Sequence, residues 1–539
     1  MYLIRSIMKK KKTIKTAADF SQKQKINFFS AMMIVVGSCI GAGIFFKSKA
    51  VLSNANGSLI LALISWAIAA FAVIAMALAL IEIVSATKKD DDLSFIGWNK
   101  LFNSVWIFKA SKNFMLYIYL PLNFFYMPLY FIQTIQDAIW NFSEGNNSSV
   151  LLGFSHEWIV WIIIAFGIGM WFLFTGLKAK ISDWQNKIIL VFKFFPLVFA
   201  ALIGFILIAT GVQSSAQAGI SVNIEAGLTQ GASLASLTPG LGMFIGIAGI
   251  FFAYDGFYVS AGIQSEMKEP ERTPKAILYG LGIVTVVYVI IAISMSIVGN
   301  GSIGGLEEQL QSAGMSAKAS FIFMGVINLL VAIGILGIIN GFAVWTPRYM
   351  EDLIAANEIP FINKKKWKLN KHLPLSGLKI TLILTLPLFV IFAIIGALGY
   401  TDSSGYAFYG AQMDNLYSLA DDLSNWTSVI VFGFIAIAIY GAIRNRKTQK
   451  VKVTKNKFLI PFGIVSIILV GLSMSITVII PIIDLFLLTA VQNTFLTNEL
   501  VVGKFIKVFI LFIFILVMFV PTIIENYFSK KTKLATAEI

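Results

Sequence analysis

Twelve apolar runs, each long enough to cross about 30 Å of hydrocarbon, constrain this chain more than any other feature. They fall near residues 28–52, 58–86, 113–137, 157–176, 184–210, 239–264, 275–299, 319–346, 376–398, 426–443, 458–480 and 504–524. In lipid every backbone N–H and C=O must find an internal partner, which leaves helices or a closed barrel. Runs of this length predict helices. Of the 539 residues, 13% are charged and 58% hydrophobic, whereas soluble domains carry roughly 25% and 45–50%. No soluble core could hide so much apolar surface, and the sequence predicts an all-α integral membrane protein with 12 transmembrane helices.

The net charge of +15 would suit nucleic acid, but its distribution argues for a membrane. With the N-terminus placed in the cytoplasm, 36 of the 42 Lys and Arg fall in inner segments, as the positive-inside rule requires. Four fall outside (Lys47, Lys49, Lys318 and Lys504) and two, Lys193 and Lys507, lie within runs. A miscount of one helix would scramble this alternation, so both termini are expected in the cytoplasm. The expected organisation is a basic tail at 1–26, a ten-helix core at 27–445, helices 11 and 12 within 446–525, and a second tail at 526–539. The lysines at 364–371 read as an anchor on anionic lipid. The N-terminal Lys9–Lys12 run precedes no cleavable leader pattern. One cysteine, Cys39, excludes an internal disulfide framework, and the two histidines, His156 and His372, lack metal-ligand spacing. We therefore expect no metal, no cofactor and, without a nucleophile–base pairing, no enzymatic reaction.

Two runs are interrupted. The first contains Gly37-Ser38-Cys39-Ile40-Gly41-Ala42-Gly43-Ile44-Phe45, and each glycine costs an exposed helix interior roughly 1 kcal/mol against Ala. A small-residue helix contact through Gly37 and Gly41 explains this stretch as well as an unwound segment does. The sixth run, Gly249-Ile250-Phe251-Phe252-Ala253-Tyr254-Asp255-Gly256-Phe257, favours unwinding. Its mid-span carboxylate costs about 2.5–3.5 kcal/mol on insertion scales, which marks Asp255 as a functional candidate; pairing with a basic side chain for structure alone is the alternative. Runs 1 and 6 open two successive sets of five, spanning 27–210 and 239–445. Interruptions at matching places in two halves point to the binding site of an inverted-repeat transporter. Half-helix N-termini offer N–H groups to an anion, and carbonyls at the opposing ends accept bonds from a cation. An amino acid satisfies both.

At these residues the sequence resembles the amino acid–polyamine–organocation (APC) superfamily of permeases. Gly37–Phe45 is similar to its GSxIGxGIF signature. Phe251–Gly256, followed by Glu266-Met267-Lys268-Glu269-Pro270-Glu271-Arg272, is similar to its sixth-helix segment and the loop after it. The likeness extends over roughly 27–450. It implies a LeuT-type 5+5 inverted repeat with helices 1 and 6 discontinuous. It also implies a site at Ile40, Gly41, Ala42, Gly43, Phe252, Ala253, Tyr254 and Asp255. There the amides of Ala42 and Gly43 would hold the substrate carboxylate, the carbonyls of Ile40 and of Phe252 or Ala253 would meet its ammonium, and Phe252 would gate. Asp255 stands where many relatives have a small residue and would favour neutral or basic substrates. The usual Pro after GIF is replaced by Phe46-Lys47-Ser48, and the Pro and Gly-Gly expected after Glu82 are missing.

Lys193, in the fifth run, matches the lysine that in several branches takes the place of a sodium ion. Snorkelling to the interface is its bland alternative. A sodium-coupled protein would not keep a cation there, so the expected coupling is to protons or by exchange. Glu82 is read as structural pairing, and Glu266 with Arg272 as a charge network on the inner side. The leading function is secondary active amino acid transport across a bacterial cell membrane by a monomer or homodimer. A polyamine or organic-cation carrier is the alternative within transport, and a channel or amino acid-sensing membrane receptor the alternative outside it.

Overall fold

The computed structural model describes residues 27–537 apart from 42, 87–93, 147–151, 155, 215–232, 259–266, 270–271, 299–300, 360–361, 363–366, 371–372, 401–408 and 492–495. Among the described residues the architecture is all helical. Ten helices are long and apolar enough to cross a membrane, and two shorter apolar helices lie in the first and sixth runs.

The first span begins with α1 (Phe28–Cys39), capped by the Asn27 side chain, which accepts the Ser30 amide at 2.7 Å. Side-chain capping of this kind satisfies an amide that has no helical partner. Ile40 then leaves the helix for extended backbone, and α2 (Gly43–Asn54) resumes beyond it. The second span, α3 (Leu59–Val84), is capped by Ser58. Its Ala69, Ala70, Ala72, Ala75, Ala77 and Ala79 are buried, and small side chains let neighbouring helices approach closely in a membrane. A short helix, α4 (Ser94–Phe102), leads into the third span. That span runs from α5 (Val105–Phe114) through a π-helical turn at Met115–Tyr119 into α6 (Leu120–Phe142). π-Turns are frequent at functional sites, and Tyr119 ends this one.

The fourth and fifth spans are α7 (Trp158–Gly176) and α8 (Ala179–Ala209). After the single turn α9 (Leu234–Leu237), α10 (Pro239–Ala253) opens the sixth span with Pro in its first turn, where a missing N–H costs nothing. It stops at Ala253, and the turn through Tyr254–Gly256 needs φ +96° at Gly256, a value that glycine adopts without strain. Then follow α11 (Thr273–Val298), the short α12 (Leu306–Ser312), α13 (Ala317–Ala355), α14 (Leu375–Ile394), α15 (Ala411–Thr448), α16 (Leu459–Leu487) and α17 (Asn498–Ala537).

Burial separates the layers. In the most apolar window of each span, 89% of the third and 83% of α15 is buried, against 28% of α17. The third span and α15 therefore form the centre, where α10 packs on α2, α3 and α15. The run predicted at 426–443 proves to be the middle of a helix that starts at Ala411. Hydropathy marks the hydrocarbon crossing alone. Within the polar residues 411–425, Asp421 and Asp422 pair with Lys47 and Lys507 of other spans.

Candidate substrate and coupling site

The two interruptions meet. A Cβ at Gly43 would lie 2.9 Å from Ala253 Cα and 3.4 Å from the Phe252 ring, so only glycine lets the start of α2 touch the end of α10. Where helices stop, their last carbonyls need other donors, and here side chains supply them. The Tyr288 hydroxyl, from α11, donates to the Cys39 carbonyl at 2.8 Å and reaches the Ala253 carbonyl at 3.0 Å. One hydroxyl hydrogen is thereby shared between the broken ends of both spans. Lys193, from α8, donates from Nζ to the Ile40 carbonyl at 3.2 Å. A small cavity opens beside Ile40 and Gly41, walled by Phe45, Lys193, Pro196 and Val331.

The sequence-predicted residues divide accordingly. Ile40, Gly41, Gly43, Phe252 and Ala253 gather at the junction; Ala42 lies outside the described residues. Two of the carbonyls assigned to a substrate ammonium are held by the protein itself, that of Ile40 by Lys193 and that of Ala253 by Tyr288. Tyr254 turns away, its hydroxyl 2.9 Å from Thr285 Oγ1 and its ring against Tyr288. Asp255 faces the third span, where Tyr119 donates to its Oδ2 at 2.6 Å, while its Oδ1 accepts the Gly256 amide at 2.9 Å. The bond partners of Asp255 are tyrosines and backbone.

Phe252 sits between Tyr126 and Tyr130, with ring centroids 6.1 and 6.0 Å away. Above its ring, 4.9 Å from the centroid, lies Lys47 Nζ. The charge alternation placed Lys47 among the outer-side residues; instead the side chain is fully buried. Its ammonium reaches Asp421 Oδ1 at 2.9 Å, Ser424 Oγ at 2.7 Å and the Tyr130 hydroxyl at 3.0 Å. Tyr130 also donates to the same carboxylate oxygen at 2.7 Å. Four spans meet at this ammonium, which lies over the Phe252 ring. The sequence signal was present, a lysine inside an apolar run, but its acidic partner was not locatable.

Glu82 and Arg272, both singled out in the sequence, sit in ion pairs. Buried Glu82 accepts from Arg446 at 2.5 Å and from the Asn456 amide at 2.6 Å. Arg272 pairs with Glu269 at 2.7 Å, both half exposed; Glu266 lies outside the described residues. Among the described residues no three His, Cys, Asp or Glu side chains gather as a metal site would need.

Among the described residues, ten helices long and apolar enough to cross a membrane, with two shorter apolar helices beside them, define a multi-pass membrane protein. The family described as Amino acid permease matches residues 26–516, and the chain belongs to that family, within the APC superfamily. It is 42% identical over 543 residues to an uncharacterised protein of Mycoplasma pneumoniae, covering 95% of each chain. It is 25% identical over 359 residues to the Serine/threonine exchanger SteT of Bacillus subtilis, covering 64% of this chain and 72% of that one. Among solved structures, MhsT in complex with L-phenylalanine aligns with a TM-score of 0.46 at 14% identity, covering 83% of this chain and 97% of that one.

Proposed function

We propose that this permease moves amino acids across a bacterial cell membrane by alternating access in a LeuT-type inverted repeat. The observation that carries the reading is the junction at Gly43 and Ala253, where the interrupted spans touch and one tyrosine hydroxyl serves carbonyls from both. In this reading the amides of Ala42 and Gly43 take the substrate carboxylate, Gly43 being the first residue at the positive end of α2. The carbonyls of Ile40 and of Phe252 or Ala253 take its ammonium, which displaces donors that the protein now supplies. Lys193 is the coupling residue, since its ammonium must give up Ile40 when the substrate's arrives.

Phe252 is the gate, with the Lys47–Asp421 pair closing over it. The lysine-rich loops and both termini face the cytoplasm, and the protein works as a monomer or homodimer. Coupling is to protons or by exchange. A relative that bears the name of an amino acid exchanger supports the latter.

The test is counterflow. Proteoliposomes preloaded with the common amino acids would receive each one labelled in turn. Saturable uptake, competed by free amino acids and lost in Gly43→Val, supports the reading. An unsaturable ionic current, or no uptake of any amino acid, overturns it.

A further inference from the structure

We propose that Asp255, together with Tyr119 and Tyr258, forms a proton-binding site that links proton movement to substrate movement. The inference rests on the permease reading and goes beyond it by naming the coupling ion and the group that carries it.

Three observations point to a proton. The first is the chemistry of the neighbours. Tyr119 faces the carboxylate from the third span at 2.6 Å, and Tyr258 stands on the carboxylate's own chain with its hydroxyl 3.4 Å from that of Tyr119. Tyr126, one turn or more further along the third span, is the other titratable group on that side. The Gly256 amide completes the set. Among the described residues none of the partners of Asp255 is basic. A carboxylate at membrane depth without a counter-charge is costly, and such groups mark ion pathways and proton relays.

The second observation is that hydroxyls serve both protonation states. A tyrosine O–H donates to a carboxylate, and the same oxygen accepts from a carboxylic acid. A guanidinium, which can only donate, would favour the carboxylate alone.

The third is space. Phe342, from α13, packs 6.0 Å from the Tyr119 ring, and Phe95, from α4, packs 6.2 Å from the Tyr258 ring. Aromatic rings thus back both tyrosines, and a proton needs no room beside the carboxylate. Tyr119 and Tyr258 are buried, yet Asp255 keeps some accessible surface, through which water can deliver or remove the proton.

Position supplies the link. Asp255 lies two residues beyond Ala253, whose carbonyl is at the junction, across the turn that Gly256 makes possible. A movement that frees the Ala253 carbonyl for substrate therefore changes the surroundings of the carboxylate. In the cycle, the carboxylate takes one proton from water on one side of the membrane to become a neutral carboxylic acid. After the rearrangement it returns that proton to water on the other side and regains its single negative charge. One O–H bond forms and the same bond breaks.

The test uses full-length protein in vesicles loaded with the pH dye pyranine, given an equimolar mixture of the common amino acids with tracer. Wild type should show proton and amino acid influx together. In Asp255→Asn the ratio of protons to amino acids moved should fall by about tenfold or more. Asp255→Glu should keep the wild-type ratio. An unchanged ratio in Asp255→Asn overturns the proposal. Amino acid movement by wild type without protons also overturns it, while leaving the permease reading intact. Should Asp255→Asn lose both fluxes, recovery of both in Asp255→Glu supports the proton site. Continued loss of both, as for a polyamine-type contact or a purely structural group, overturns it.

Discussion

Replacing Lys47 with Met should destabilise the protein by roughly 3–5 kcal/mol, because it strands the Asp421 carboxylate among groups arranged for an ion pair. At 2.9 Å and an effective dielectric of about 20, the attraction amounts to about 6 kcal/mol. Removing the Lys47 ammonium from water offsets much of that, so the intact pair gains little over an apolar replacement of both partners. One partner alone is another matter. Asp421→Asn leaves an ammonium buried among the Tyr130 and Ser424 hydroxyls, the backbone carbonyl of residue 421, the Phe252 ring and a neutral amide, and should cost a similar amount. The double variant Lys47→Met/Asp421→Asn should be milder than the sum of the two by roughly 2 kcal/mol. Thermal unfolding of such a protein in detergent is irreversible, so the readout is the half-life of the monodisperse peak at a fixed elevated temperature. With a tenfold rate change per 1.36 kcal/mol, a 3 kcal/mol loss shortens that half-life by about 100-fold when the pair breaks before the barrier. Single variants within about threefold of wild type, or a double variant equal to their sum, would refute the claim that this pair holds the four spans together.

The junction offers further checks. Gly43→Ala forces a Cβ to within 2.9 Å of Ala253 Cα; overpacking of that kind costs about 1–3 kcal/mol, and labelled uptake should drop steeply while membrane insertion, followed by surface labelling, persists. Tyr288→Phe removes the hydroxyl shared by Cys39 and Ala253, at about 1–3 kcal/mol for the carbonyls left behind, seen as a lower thermal midpoint that substrate partly restores. Glu82→Gln should cost several kcal/mol because buried Glu82 neutralises Arg446, measured by the same heating assay. On the short α12, outside the membrane spans, burial pushes the Glu307 carboxyl up, and the Gly305 amide opposes this only in part. A folded-state value above the unfolded one means that the unfolded chain binds fewer protons, so stability falls as pH rises through the folded value. Glu307→Gln should therefore stabilise the protein near about pH 8 and give no gain near about pH 4, read from midpoints across that range.

The spans and their interruptions were legible because both follow from local chemistry. Apolar length forces helices in lipid, and clustered glycines mark where the helix of the first span gives way at Ile40. What closes the site was not legible, because its partners are far apart in the chain. Lys47 and Asp421 are 374 residues apart, and Asp421 falls in a polar stretch that hydropathy assigns to a loop. It is helical and partly buried, with Asp421 paired to Lys47 and Asp422 to Lys507. Tyr288 and Tyr119 are tyrosines within apolar runs, and nothing local says which of the chain's 16 tyrosines faces a carbonyl or a carboxylate.

The charge alternation nevertheless held a pointer. Of the six lysines it could not place on the inner side, Lys47, Lys504 and Lys507 each hold an aspartate, at 2.9, 3.4 and 3.0 Å. A fourth, Lys193, holds the Ile40 carbonyl. A cation kept against the side preference needs a compensating partner, and in a helical bundle that partner must come from another span. The exceptions to the positive-inside pattern thus join inner-side pairs such as Arg446 with Glu82 in revealing which helices are tied together.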